Sequence, residues 1–207
     1  MQVLFATNNS HKLREMRGIL AGHHVMAPAD LGLTADVEES GGTFFENALL
    51  KARAIAGMAD RLKDASHLVV IADDSGLCVD ALHGGPGIYS ARYGSKPDGS
   101  LLESSERNAL LLKEMAARRD RSAHFTCCMV ALLGGDRMIA AQEQWSGEIA
   151  HQPSEAAGGF GYDPIFYLPA LDCTAADLPD EEKNRLSHRG RAASVIAAAL
   201  DAAASLP

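Results

Sequence analysis

The chain has 207 residues, 47% of them hydrophobic, and a formal net charge of −8. This length is enough for one substantial core, and the negative charge argues against broad binding to nucleic acid or acidic membranes. The longest apolar runs are far below the roughly 18 residues that span a membrane, and the N-terminus shows no signal-peptide pattern. Its four cysteines lack zinc-site spacing, which favours reduced, packed thiols. We therefore expect a cytoplasmic protein that binds neither nucleic acid nor membrane.

The first part of the sequence predicts strands alternating with helices. Residues 2–7 predict a buried strand, residues 8–12 predict a turn into a helix, apolar residues at helical spacing continue that helix over 13–20, and 24–27 predict a second strand. A polar loop over 30–42 follows. Thr43-Phe44-Phe45-Glu46 is a capping-box pattern, which predicts that a helix begins here. Apolar residues recur on one stripe after it, which supports the helix.

Residues 68–72 form a short apolar run rich in β-branched side chains, which predicts a central strand. The run stops at Asp73-Asp74-Ser75-Gly76, so we expect the strand to end there. A glycine- and proline-rich loop (83–95) and a helix opened by Ser100 (100–117) are predicted next. An antiparallel hairpin follows, with strands 123–133 and 137–145 joined by Gly134-Gly135-Asp136, and then a glycine-rich turn into a strand (158–167). The last predicted elements are a helix with Pro179 in its first turn, which Gly190 ends or kinks, and an alanine-rich C-terminal helix. The pattern is α/β, and the hairpin argues against an all-parallel sheet.

Asp73 and Asp74 are the first candidate for chemistry. Two adjacent carboxylates after a buried strand are costly unless something offsets their repulsion. A magnesium ion would do so, since it binds carboxylates together with water and phosphate oxygens. The alternative is an Asx turn that caps the strand. Glu38 and Glu39, in the polar loop, are either solvated or fold back towards Asp74, and sequence spacing leaves both possibilities open.

Three further segments have the composition of a nucleotide site. Thr7-Asn8-Asn9-Ser10-His11-Lys12 precedes a helix, whose N-terminal N–H groups favour anions; the alternative is a plain helix cap. Gly158-Gly159-Phe160-Gly161-Tyr162-Asp163-Pro164 offers aromatic rings that could stack on a base and a carboxylate that could accept from a ring N–H; the alternative is a structural turn. Lys183 and Ser187-His188-Arg189-Gly190 offer cations for phosphate or a base edge; the alternative is a basic helix end.

The order of these motifs makes the sequence resemble the inosine-triphosphate pyrophosphatase family, enzymes that remove aberrant purine nucleoside triphosphates. The resemblance covers almost the whole chain, from near residue 5 to residue 190. The matching segments are Phe5-Ala6-Thr7-Asn8-Asn9-Ser10-His11-Lys12, Thr43-Phe44-Phe45-Glu46-Asn47-Ala48, Ile71-Ala72-Asp73-Asp74-Ser75-Gly76-Leu77, Pro86-Gly87-Ile88-Tyr89-Ser90-Ala91-Arg92-Tyr93, Gly158-Gly159-Phe160-Gly161-Tyr162-Asp163-Pro164-Ile165-Phe166 and Ser187-His188-Arg189-Gly190.

The resemblance implies an α/β fold with an elongated mixed β-sheet and flanking helices, forming two lobes around a central cleft. It implies one two-lobed domain over residues 1–207, and a homodimer. It implies Mg2+ as cofactor, held by Asp74 with Glu38 and Glu39, and Asp74 as the catalytic base. The substrate-binding residues that it implies are Thr7, Asn8, Asn9, Ser10, His11, Lys12, Ser75, Phe160, Gly161, Tyr162, Asp163, Lys183, His188 and Arg189.

The sequence departs from the family pattern at a few positions. Many relatives have glycine in place of Asn8 and often in place of His11, and a side chain there restricts positive φ. The loop before Glu38 looks one residue longer, so the choice between Glu38 and Glu39 as metal ligand stays open. Whether Asp74 acts as base, metal ligand or both also stays open, and Asp73 is expected to shape the turn and tune its neighbour.

The activity implied is hydrolysis of ITP, dITP and XTP to the nucleoside monophosphate and pyrophosphate. A pocket that donates to a 6-oxo group would leave the amino group of adenine unmatched. The alternatives are a related pyrophosphatase acting on pyrimidine or methylated nucleoside triphosphates, and a regulator that binds nucleotide without cleaving it. A substrate panel separates the three.

Overall fold

The structure is a computed structural model that describes residues 1–34, 36–62, 67–96, 98–134, 136–156 and 158–204. The strands are β1 Gln2–Phe5, β2 His24–Met26, β3 Val69–Val79, β4 Gly85–Pro86, β5 Ser122–Leu132, β6 Met138–Ile149, β7 Phe166–Leu168 and β8 Cys173–Thr174. The α-helices are α1 Ser10–Ile19, α2 Phe44–Ala59, α3 Ser104–Met115, α4 Asp180–Leu186 and α5 His188–Ala204. Among the described residues, the search for a membrane-spanning helix finds none.

The strands form a mixed sheet in the order β2-β1-β3-β5-β6-β7-β8, with β4 beside β3. Strand β1 is parallel to both β2 and β3, whereas β4 is antiparallel to β3 and β7 is antiparallel to β6 and β8. The connection between β5 and β6, residues 133–137, is too short for a parallel crossover, so these neighbours form a hairpin. Gly135 of the predicted turn lies outside the described residues. The predicted mixed α/β class is confirmed.

The chain divides into two compact units. The first comprises Met1–Asp74, Cys127–Glu143 and Ser187–Pro207, and the second comprises Ser75–Thr126 and Gln144–Leu186. Strands β3, β5 and β6 each contribute residues to both units. That the units are two lobes of one domain around a cleft stays a prediction.

The first unit has a separate core on each face of its strands. Helices α1 and α5 cover one face, which carries the strand residues Val3, Phe5, Val69 and Ile71. Helix α2 covers the other face, which carries Leu4, Ala6, Val70 and Ala72. Successive residues of a strand point to opposite faces, so the alternation assigns Asp73 to the α1–α5 side and Asp74 to the α2 side.

The second unit has one core, built around aromatic side chains. The ring of Phe166 lies 4.5 Å from that of Phe125 and 5.4 Å from that of Trp145, both tilted, a favourable geometry for aromatic pairs. Leu111 and Met115 of α3 are fully buried in the same cluster. This core supports the glycine-rich segment at 158–163.

Several predicted boundaries are wrong, among them the end of β6, which continues to Ile149 rather than stopping at Trp145. Strand β3 does not end before Asp73 and continues to Val79, so the Asx-turn alternative fails as well. Helix α3 begins at Ser104 rather than Ser100, because Glu103 is its N-cap and the N–H of Glu103 donates to Glu106 Oε2 at 2.8 Å.

Another wrong prediction concerns Gly190. It neither ends nor kinks a helix, since it lies buried in the first turn of α5, and its N–H donates to Ser187 Oγ at 3.1 Å. Ser187 lies between α4 and α5, so Lys183 and Ser187 do not share one helix.

Candidate active site

Asp73 and Asp74 lie in the middle of β3 and are only 1% and 5% exposed. Buried carboxylates are costly without compensating charges or hydrogen bonds. Because the two side chains face opposite sides of the strand, each is compensated by a different set of residues. All of these residues belong to the first unit.

Asp73 is held between two cations. Lys12 Nζ lies 2.8 Å from Asp73 Oδ2 and 3.0 Å from Oδ1, and Arg189 Nε lies 3.4 Å from Oδ2. Arg189 is itself buried, and its Nη1 donates to Glu15 Oε2 at 2.6 Å. Burial by itself would raise the pKa of Asp73, but the charges of Lys12 and Arg189 outweigh it and hold the pKa well below its ordinary value. Asp73 is therefore ionised at any physiological pH.

Among the described residues, Asp74 has different hydrogen-bond partners, and both lie on α2. Asn47 Nδ2 donates to Asp74 Oδ2 at 3.1 Å, and Lys51 Nζ lies 3.2 Å from Oδ1. The same Lys51 ammonium lies 2.7 Å from Glu39 Oε1. Burial raises the pKa of Asp74; Lys51 opposes that shift, and the negative charge of Glu39 adds to it.

The pKa values of the two neighbouring carboxyls are thus shifted in opposite directions. Environments that separate a pair of titratable groups in this way are typical of acid–base sites, although ion-pair networks produce them too. Asp73 is suited to hold Lys12 and Arg189 in place. Asp74, the more basic carboxylate, is suited to accept a proton or to share a cation with Glu39.

The acidic residues around Lys51 fit a magnesium ion whose remaining oxygen ligands come from water and substrate phosphate. Mg2+ usually binds one or two carboxylates and takes its remaining oxygens from water and phosphate. Glu39 and Asp74 supply such a pair, and both already share the cationic Lys51. In the described parts of the chain, no group of three or more His, Cys, Asp and Glu side chains could hold a metal. A phosphate-assisted site therefore fits these residues better than an all-protein one.

The choice between Glu38 and Glu39 follows from the same contacts. Glu39 is half-buried and bound to Lys51, whereas Glu38 is exposed. The geometry favours Glu39 as the carboxylate that accompanies Asp74. Assignment of either as a metal ligand stays a prediction.

The predicted phosphate-binding segment, residues 7–12, includes the first turn of α1 and is largely exposed. Asn9 is the N-cap of α1, and its Oδ1 accepts the N–H groups of His11 and Lys12 at 2.9 and 3.2 Å. An anion at this terminus would have to share those N–H groups with Asn9. Neither Asn8 nor His11 has a positive φ, so the side chains that replace glycine there cause no backbone strain.

The second unit contains its own charged cluster, formed by Phe160, Asp163 and Lys183. Lys183 Nζ lies 2.7 Å from Asp163 Oδ2 and 4.6 Å from the ring centre of Phe160. The N–H of Phe160 donates to the same carboxylate oxygen at 2.6 Å. Asp163 and Lys183 are both buried, and Phe160 is half-buried. This arrangement fixes the turn and presents an aromatic face beside a cation.

Tyr162 and Gly161 have different roles in this segment. Tyr162 is 5% exposed, and its Oη donates to the carbonyl of Ser90 at 2.9 Å. The carbonyl of Gly161 accepts from Asn108 Nδ2 at 3.0 Å. This conformation therefore favours Phe160 over Tyr162 for stacking on a base, and the nucleotide contacts predicted for the segment stay predictions.

The other predicted substrate contacts differ in accessibility. Thr7 is half-buried, and Ser10 is exposed. Ser75 follows Asp74 in β3 and is half-buried, whereas His188 and Arg189 are both buried. The structure gives Arg189 the role of a buried ion-pair partner, and its predicted contact with nucleotide stays a prediction.

Sequence reasoning assigned no role to three residues that the structure places in this network: Glu15, Asn47 and Lys51. Asn47 and Lys51 are four residues apart and therefore share a face of α2. Both border the buried apolar stripe of that helix. A polar pair at helical spacing beside an apolar stripe was the available signal. Glu15 had no comparable signal, because its partner Arg189 is 174 residues away.

Comparison with known proteins gives full-length matches. The model of the Ham1 family matches residues 3–199. The chain is 46% identical over 195 residues to the dITP/XTP pyrophosphatase of Treponema denticola, covering 93% of this chain and 94% of that protein. It is 46% identical over 203 residues to the dITP/XTP pyrophosphatase of Yersinia pestis, covering 96% and 98%.

Solved structures agree with these matches. The Staphylococcus aureus Ham1 protein is 40% identical to this chain and superposes with a TM-score of 0.81. The superposition covers 98% of this chain and 100% of that chain. A HAM1 protein from Coxiella burnetii is 36% identical and superposes with a TM-score of 0.82, covering 98% of this chain and 99% of that chain.

Proposed function

Because the chain belongs to the Ham1 family, we propose that it is a nucleoside-triphosphate pyrophosphatase that hydrolyses dITP, XTP and ITP to the nucleoside monophosphate and pyrophosphate. The resemblance inferred from the ordered motifs is thereby confirmed at the level of the family. The observation that supports this chemistry is the Asp73–Asp74 pair. The Asp73 carboxylate lies between the cations Lys12 and Arg189, whereas the Asp74 carboxylate contacts Lys51 and Asn47, and the same Lys51 also binds Glu39.

The reaction breaks the anhydride bond between the α and β phosphates by addition of water. Asp74 is the proton acceptor that we propose for that water, since general-base catalysis needs a positioned group and Asp74 is held in place by Asn47 and Lys51. Pyrophosphate leaves with the bonding electrons. No covalent enzyme intermediate is required, so the chain needs no nucleophilic side chain.

Lysine side chains stabilise the negative charge that develops on the phosphates. Lys12 and Lys51 are the cations next to Asp73 and Asp74. They are held in place before the reaction by these carboxylates, and preorganised charges are the most effective kind. The segment 7–12 supplies the exposed polar groups that hold the triphosphate.

Glu39 and Asp74 are proposed to hold Mg2+, and Glu38 is the less favoured alternative. When bound, the ion supplies positive charge that polarises a phosphate group. Glu39 and Asp74 both contact the ammonium group of Lys51. Their carboxylates are therefore close enough to bind one cation together, which supports this proposal.

The segment 158–163 and Lys183 are proposed to select the base. The ring of Phe160 offers a stacking surface, and Lys183 offers a donor that suits a 6-oxo group. An adenine amino group would leave that donor unmatched, and an unmatched buried donor discriminates strongly between substrates. His188 and Arg189 are proposed to complete the nucleotide contacts.

The test is a substrate panel in which pyrophosphate release is followed with a coupled inorganic pyrophosphatase. We expect turnover of dITP, XTP and ITP with Mg2+ that exceeds turnover of ATP by at least about 100-fold in kcat/KM, a discrimination of about 2.7 kcal/mol, and none with EDTA. Equal turnover of ATP and dITP would contradict the substrate class. Preference for a pyrimidine or methylated nucleotide would support the first alternative, and binding without pyrophosphate release would support a regulator.

The control for this panel is a pair of matched substitutions. Asp74→Asn keeps the shape of the side chain but removes the base, so kcat should fall by about 100-fold or more. Asp136→Asn removes an exposed carboxylate in the β5–β6 connection and should leave kcat unchanged. Full activity of Asp74→Asn would exclude Asp74 as the base.

The protein is also proposed to be a cytoplasmic homodimer. This part rests on the resemblance to the family and on the nucleotide pool in which such enzymes act.

A further inference from the structure

Asn47 binds two separate parts of the candidate site with one side chain. It is fully buried. Its Nδ2 donates to Asp74 Oδ2 at 3.1 Å, and its Oδ1 accepts the backbone N–H of Gly41 at 2.8 Å. An amide group has both a donor and an acceptor, and this orientation satisfies both partners at once.

The contact to Gly41 is part of a larger attachment of the loop to α2. Glu46 Oε2 accepts the N–H of Gly42 at 2.6 Å, and Thr43 Oγ1 caps the helix by accepting the N–H of Glu46 at 3.1 Å. Consecutive side chains of the first helical turn therefore hold consecutive N–H groups of the loop. Glu39 lies two residues before Gly41, so its position depends on this attachment.

The absence of a side chain at Gly41 is required for the attachment. A Cβ atom at Gly41 would lie 2.7 Å from the Cβ of Glu46 and 2.8 Å from Asn47 Oδ1. Both distances are too short for real contacts. Alanine at this position would therefore push the loop away from α2 and away from Asn47.

We propose that Asn47 is a positioning residue that holds the Glu39 loop and Asp74 in register and thereby sets the affinity for the divalent cation. The inference rests on the proposed function in its assignment of a cation to Glu39 and Asp74. Asn47 touches neither substrate nor metal in this role. It acts through Asp74 on one side and through the loop backbone on the other.

The experiment measures Mn2+ binding to the full chain, with and without a non-hydrolysable analogue of dITP, by electron paramagnetic resonance of free Mn2+. Asn47→Ser and Gly41→Ala disturb the same contact from opposite sides. Each should raise the Kd for Mn2+ by about 10- to 100-fold, the usual effect of removing an outer partner of a metal ligand. Because Gly41→Ala leaves the Asn47 side chain intact, it tests the attachment even if Asn47→Ser folds poorly.

The chain offers a matched control for each variant. Asn108→Ser removes another buried amide, one that binds Gly161 in the second unit. Gly57→Ala makes the same glycine-to-alanine change inside α2, at a position where a Cβ meets nothing within 4 Å. Both controls should keep the Kd for Mn2+ of the unsubstituted protein.

A second measurement separates positioning from simple loss of structure. The Mg2+ concentration for half-maximal turnover should rise by about 10-fold or more in Asn47→Ser, and excess Mg2+ should recover more turnover in this variant than in Asp74→Asn. An unchanged Kd for Mn2+ in both Asn47→Ser and Gly41→Ala would overturn the inference alone. Absence of Mn2+ binding by the unsubstituted protein both with and without the analogue would overturn the proposed metal site and the inference with it.

Discussion

Asp73 and Asp74 are chemically identical neighbours with opposite surroundings. The cause is the pleat of β3, which directs successive side chains to opposite faces. Asp73 reaches the side of α1 and α5, where Lys12 and Arg189 lie, and Asp74 reaches the side of α2. Sequence reasoning favoured Asp74 for metal and water and gave Asp73 the role of shaping a turn. The structure contains no turn there, and it gives Asp73 a buried pair of cations instead.

Asp73→Asn should destabilise the protein by about 3–5 kcal/mol at neutral pH, because it removes one partner of a buried ion-pair network. The folded-state pKa of Asp73 lies below the value of about 3.9 expected in an unfolded chain. Its contribution is therefore fully present above pH 3.9 and is lost as the pH falls towards the folded-state pKa. Urea unfolding in EDTA at several pH values measures both effects.

The unsubstituted protein should lose stability more steeply than Asp73→Asn between about pH 4 and pH 2. The exposed Asp136→Asn serves as the reference and should follow the unsubstituted protein. Parallel pH profiles for the unsubstituted protein and Asp73→Asn would show that the ion pairs of Asp73 contribute no pH-dependent stability.

Among the elements, α2 shows how a correct local prediction can miss a functional contact. The pattern Thr43-x-x-Glu46 predicted the start of the helix, and Thr43 is the N-cap. The expected return contact from Glu46 to the N–H of Thr43 is replaced by a contact to the N–H of Gly42. A motif typical of a helix terminus therefore also anchors the Glu39 loop. This second contact depends on the path of the chain before the helix, which the motif does not specify.

The glycine-rich segment before β7 allows a sharp comparison of two substitutions. Gly159 and Gly161 both have positive φ, +70° and +63°. A Cβ at Gly159 would lie 2.6 Å from Asp163 Oδ2, whereas a Cβ at Gly161 meets nothing within 4 Å. Gly159→Ala should displace the Asp163 carboxylate from Lys183 and raise KM for dITP by about 10-fold more than Gly161→Ala does, about 1.4 kcal/mol of binding.

Both substitutions carry the same backbone strain of about 1–3 kcal/mol, so Gly161→Ala is the matched control for Gly159→Ala. Steady-state kinetics with dITP provides the comparison, and thermal unfolding checks that both variants are folded. Equal KM values for the two variants would mean that the Asp163–Lys183 pair does not support base binding.

At the scale of the whole molecule, the proposed homodimer gives a direct prediction. Light scattering at micromolar concentration should give twice the mass of the chain. The expectation rests on the family resemblance, and many soluble oligomers are such twofold dimers. A monomer mass together with full dITP turnover would show that the active form needs no second copy.

Sequence by itself determined the family, the mixed α/β class and the start of α2, and it supplied most of the candidate residues, whose roles stay predictions. These follow from motif order, hydrophobic periodicity and capping chemistry, which are local in the chain. Only the tertiary structure decided that Glu39 rather than Glu38 meets Lys51, that Asn47 joins the loop to Asp74, and that Arg189 is buried against Asp73. The residues of the last pair are 116 positions apart, and strand alternation together with helix packing, rather than spacing along the chain, brings such groups together.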